Sequence, residues 1–111
     1  MKFDDLIAEY TKIAKVLSQR WPVKNKNQRI FARTMKIVEE LGELSDAILS
    51  SMNLQRDEKI QKYDRQHLED EFADVLGSLI LLGIEIDIDL TKVMKRKIAF
   101  THKRLKEEIA E

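Results

Sequence analysis

Only three glycines and one proline interrupt 111 residues, and this scarcity of chain breakers constrains the fold more than any other feature of the sequence. Turns draw on residues that accept positive φ or fix a negative one, so a chain poor in both has few places to reverse. It is expected to spend its length in a few long helices. Leu6, Ile7, Tyr10, Ile13, Ala14 and Leu17 recur at helical spacing and predict a first helix from about Asp4 to Ser18. That helix should end before Trp21-Pro22, because proline disfavours helix in the residue before it. A second helix is predicted from near Asn27 to about Met52, carrying Ile30, Phe31, Ile37, Val38, Leu41, Leu44 and Ile48. The polar link NLQRDEKIQKYDRQ follows without a packing pattern and reads as the most mobile segment. A third helix is predicted from about Gln66 to Glu85, and Asp89 reads as the N-cap of a fourth, TKVMKRKIAFTHKRLKEEIA. No segment alternates long enough to argue a strand, so residues 1–111 are expected to form one all-α domain of four helices.

Composition excludes several classes. Basic and acidic residues number 20 each, so the summed charge makes no case for nucleic acid or an acidic membrane surface as partner. Without cysteine there is no disulfide framework and no thiolate metal site. The start MKFDDLIAEY has neither the basic region nor the apolar run of a signal peptide, which makes the cytoplasm the expected compartment. The most apolar segment, VLGSLILLGI, spans half of the roughly 20 residues that a membrane helix needs and reads as a core helix. At 13.0 kDa such a domain hides only about two-thirds of its unfolded surface, a modest core that self-association would enlarge.

The acidic residues are informative by position rather than by number. Random placement of 20 acids gives about three or four pairs spaced i, i+3, and the chain has four: Glu40/Glu43, Glu43/Asp46, Glu71/Asp74 and Glu108/Glu111. On the second helix Glu40, Glu43 and Ala47 form one stripe bordering the apolar arc of Ile37, Leu41, Leu44 and Ile48, while Glu39 and Asp46 point toward solvent. On the third, Glu71, Asp74 and Ser78 border Leu68, Phe72, Val75 and Leu79 in the same way. KIVEELGELSDAIL aligns without gaps on HLEDEFADVLGSLI, and two helices with matching faces can pack antiparallel about a pseudo-twofold axis. Gly42 and Ala73, both small, would permit close approach. Four carboxylates brought together beside apolar surface repel one another, and hard divalent cations such as Mg²⁺ or Mn²⁺ relieve that repulsion while leaving positions for water and phosphate.

EELGEL at Glu39 to Leu44 and DEFADVL at Asp70 to Leu76 resemble the ExxE and ExxD signature of the MazG-like, all-α nucleoside triphosphate pyrophosphohydrolases, a likeness covering most of the chain from about Lys36 onward. The resemblance implies a protomer whose helical bundle is completed by dimerisation, often with dimers paired into tetramers. It implies hydrolysis of a nucleoside triphosphate between its α and β phosphates, releasing the monophosphate and pyrophosphate. Carried over by position, it makes Glu40, Glu43, Glu71 and Asp74 the Mg²⁺ ligands, with Glu39 or Glu43 accepting a proton from the attacking water. The family's Lys-Asn-Arg spacing along the last helix falls on Lys97, Thr101 and Arg104, where threonine replaces the frequent asparagine; Lys97 and Arg104 are the expected phosphate contacts.

The residues leave base selection open. Trp21, Phe31 or Tyr10 can stack on a base, though aromatic residues near helix ends more often serve as core or staple residues, and His67 lies one turn before Glu71 on its stripe. The related phosphoribosyl-ATP pyrophosphohydrolases share the acidic signature, but their Ser-Tyr-Thr stretch is not found upstream. A di-iron bundle would show Glu-x-x-His on paired helices, and only Asp64 to His67 approaches that spacing. A non-catalytic helical interaction module would use the same apolar stripes for a partner.

Overall fold

A computed structural model describes residues 1–106, which form helices and no strand: α1 Phe3–Arg20, α2 Lys26–Ser51, α3 Asp57–Gln61, α4 Arg65–Glu85 and α5 Leu90–Arg104. The all-α expectation holds, but the helices number five rather than four. The expected extension of the last helix past residue 106 lies outside the described residues, as does the Glu108/Glu111 pair.

Side chains set the helix starts. Asn25, Asp64 and Asp89 each accept a hydrogen bond from a backbone N–H three residues on, at 3.1, 2.7 and 3.1 Å, relieving one orphan donor of α2, α4 and α5. Two stops use the left-handed region without glycine. Asn53 and Asp87 adopt φ of 59° and 60°, letting Leu54 N–H reach the Leu49 carbonyl at 2.8 Å and Ile88 N–H reach that of Gly83 at 2.9 Å. Short polar side chains tolerate this conformation.

The segment expected to be loose is pinned. Asp46 accepts from Gln55 Nε2 and from Lys59 Nζ, both at 2.9 Å, and Asp57 and Glu58 occupy the first turn of α3, where acids favour the helix dipole. Asp46 is therefore half-exposed and also anchors this segment, a role its expected solvent-facing position did not disclose. Five residues are too few to display a period, which is why α3 left no pattern.

Helices α2 and α4 pack antiparallel, as their ion pairs require. Arg29 and Arg33, early in α2, both meet Glu85 at the end of α4, at 3.0 and 3.3 Å. Helix α1 crosses α4 where Tyr10 lies against Gly77: a methyl there would sit 2.5 Å from the Tyr10 hydroxyl oxygen. Leu90 closes on Gly83 in the same way. Tyr10 is thus a packing residue rather than a base-stacking candidate. Gly42, by contrast, would place a methyl near nothing within 4 Å, so close approach of α2 to α4 is not what it permits.

The buried apolar residues among those described are few, and half of them are alanine: Ala14, Leu44, Ala47 and Ile80. Expected core residues lie outside. Phe72 is 63% exposed, and Leu41, Ile48 and Leu79 are exposed as well. The inner face of α2 runs instead through Arg33, Glu40, Leu44 and Ala47. The accessible surface of 8641 Å² compares with about 6300 Å² for a compact monomer of this mass, and the 17.5 Å radius of gyration with about 13 Å. Among the described residues, no helix is long and apolar enough to cross a membrane.

Candidate functional site

Antiparallel packing sets the middle of α2 against the first half of α4. There Glu40, Glu71 and Asp74 each offer one carboxylate oxygen, all within 4.8 Å of one another. The side chains of Glu40 and Glu71 are only 14% and 13% exposed, whereas Asp74 is open to solvent. Glu40 lies on the inner stripe of α2 rather than at its border. Oxygens on opposite sides of an ion with bonds of about 2.1 Å stand about 4.2 Å apart, so three such groups can close on one small cation with little movement.

The charge is incompletely compensated. Partial burial holds the Glu71 carboxyl above its ordinary value; the nearby His67 opposes this, and Asp74, Glu43 and Glu40 push further upward. His67 Nε2 stands 3.6 Å from Glu71 Oε1, one turn earlier on α4. On α2, Lys36 Nζ lies 3.0 Å from Glu39 Oε1 and 3.4 Å from Glu40 Oε1. The Lys36 pKa is raised, chiefly by its hydrogen bond to Glu39 and further by Glu40, against a partial lowering by burial.

The remaining residues expected in the site are placed differently. Glu43 is exposed, outside the group of three, and borders a cavity of about 190 Å³ with Asp46, Lys59, Lys62, Tyr63 and His67. Glu39 is exposed and paired with Lys36 on the rim of a larger cavity of about 770 Å³, which Trp21, Phe31 and Arg33 also line. Lys97 and Arg104 are exposed on α5, which packs on α1 and α4 and not on α2, and neither pairs with a carboxylate among the described residues. Lys97 Nζ sits 5.0 Å from the Phe100 ring centre, and the Thr101 hydroxyl donates to the Lys97 carbonyl at 2.8 Å.

Two neighbours of the site escaped the sequence reading. Lys36 precedes Glu40 by four residues, a spacing that marks a helical ion pair. Arg33 precedes it by seven, two helical turns on the same face, so heptad spacing to Glu40 and Ala47 could have disclosed it. Comparisons with protein-family models, curated proteins and solved structures gave no match for this chain.

Proposed function

We propose that this chain is a Mg²⁺-dependent nucleoside triphosphate pyrophosphohydrolase of MazG-like type, cleaving NTP or dNTP between the α and β phosphates, with nucleotide-pool house-cleaning as its role. The observation that carries this reading is the meeting of Glu40 with Glu71 and Asp74, which joins the two halves of the acidic signature across α2 and α4. The donor set fits a hard cation. It contains only oxygen ligands, two of the three side chains are largely buried, and Glu71 carries charge its neighbours leave uncompensated. Glu40, Glu71 and Asp74 would hold Mg²⁺ or Mn²⁺, with Glu43 completing the set for a second ion. When bound, such ions neutralise polyphosphate charge and lower the pKa of water.

The protein supplies positioning and proton transfer. Lys36 occupies Glu39, while Glu43 has no ion-pair partner among the described residues, which favours Glu43 as proton acceptor for the attacking water. His67 steadies the Glu71 carboxylate. Among the described residues α5 does not pack on α2, and this reading brings Lys97 and Arg104 to the phosphates from a second copy in a homodimer, itself able to pair into a tetramer. The exposed apolar residues support self-association.

They also favour a second reading, a non-catalytic module whose stripes dock another helix. A panel of NTPs and dNTPs assayed for pyrophosphate with Mg²⁺ and with EDTA separates the two. Release in Mg²⁺ but not in EDTA is the expected result; no release from any nucleotide in Mg²⁺ would leave the module.

A further inference from the structure

Building on the nucleotide reading above, we propose that the larger cavity takes the nucleobase of the substrate and that Arg33 selects bases with a carbonyl at their outer edge: guanine, uracil and thymine. At about 770 Å³ the cavity falls within the range of small-molecule sites, about 300–1000 Å³, and like them it is mainly apolar. Leu17, Trp21, Pro22, Phe31, Met35 and Leu81 contribute apolar side chains to its wall, and Phe31 is 67% exposed, which leaves an aromatic face available for stacking.

Arg33 is the polar group out of place there. It is 6% exposed, its Cζ lies 5.1 Å from the Trp21 ring centre, and its Nε meets Glu85 Oε1 at 3.3 Å. Glu85 also takes Arg29 at 3.0 Å, so one carboxylate faces two guanidinium groups. Arg33 Nη2 is buried and has no acceptor among the described residues. A guanidinium can only donate, so the group that satisfies this arm must accept. Arg33 also borders a small cavity of about 40 Å³ with Trp21, Lys36, Ser78 and Leu81, and the proposal places the accepting oxygen there.

Direction follows from α2. Arg33 and Glu40 share a face two turns apart, about 10 Å along the axis. A nucleotide with its phosphates at Glu40, Glu71 and Asp74 points its base toward Arg33, outer edge first. At that edge guanine, uracil and thymine carry a carbonyl, whereas adenine and cytosine carry an amino group that donates against a donor. A site built for the first kind leaves Arg33 unpaired with the second.

Trp21 is the single tryptophan, so its fluorescence reports occupancy of the cavity without metal or turnover. Wild-type protein in EDTA is titrated with GMP, UMP, AMP and CMP. GMP and UMP are expected to quench at concentrations about 10- to 100-fold below AMP and CMP. Phe31→Ala should weaken all four alike. Arg33→Lys keeps a charge opposite Glu85 but loses the planar arm, and should bring the ratio toward one. Equal quenching by the four, no quenching by any, or an unchanged ratio in folded Arg33→Lys would overturn the inference; should that variant lose its helical circular dichroism, the wild-type ratio alone decides. Unselective binding alongside Mg²⁺-dependent pyrophosphate release removes the base assignment and leaves the reaction standing. Selective quenching without hydrolysis removes the reaction and supports the cavity.

Discussion

Ionising Glu71 works against the folded chain, because burial first, and then Asp74, Glu43 and Glu40, hold its proton while only His67 assists its release. Below its ordinary value of 4.5 the carboxyl is protonated in both folded and unfolded chains. As pH rises past that value the unfolded chain releases the proton first, so the folded state holds more protons and stability falls until the folded group ionises as well. In EDTA, urea midpoints measured upward from about pH 4 should therefore decline more steeply for wild type than for Glu71→Gln. Charge removal at the other ligands tests chemistry more than stability. Glu40→Gln or Asp74→Asn should lower Mg²⁺-dependent pyrophosphate release by more than the about 10- to 100-fold that outer-shell partners of a metal are worth, with helical circular dichroism unchanged.

At the scale of the elements, contacts between helices are made through small residues, and the cost of filling them follows from the distances. Gly77→Ala drives a methyl into Tyr10 and should cost about 1–3 kcal/mol in chemical denaturation. Asp46→Ala should speed amide exchange across α3 while α2 and α4 stay protected, since Asp46 binds both Gln55 and Lys59. Helix ends were legible where chemistry is local: Asp89 read as a cap, and Trp21-Pro22 as a stop. Helix faces were legible only in part. The expected arc put Leu41 and Ile48 inward, yet Arg33 and Glu40 occupy the inner stripe of α2. Hydrophobicity marks which side chains favour leaving water, and this chain exposes many large apolar side chains that its own helices do not cover. The candidate carboxylates were legible because their spacing matched on two helices, while the separation of Glu43 from the other three depends on how α2 is rotated in the packed pair.

For the whole molecule, surface is the telling quantity. The excess over a compact monomer is about 2300 Å² per copy, and two copies burying it would fall in the range of obligate homodimers, about 2000–5000 Å² in total. Phe72, Leu76 and Leu79 align at i, i+4 and i+7 on α4 as an unpartnered stripe. Sedimentation equilibrium is expected to return at least twice the 13.0 kDa chain mass, and Phe72→Glu to lower it. A 13.0 kDa species at working concentrations would remove the second copy, and with it the route of Lys97 and Arg104 to the phosphates. The proposed reaction requires that Glu40, Glu71 and Asp74 hold a divalent cation between α2 and α4. Mn²⁺ titration followed by electron paramagnetic resonance tests it most directly: wild type should bind the ion saturably and Asp74→Asn should bind it far more weakly, whereas equal binding by the two proteins, or none by wild type, would contradict the account.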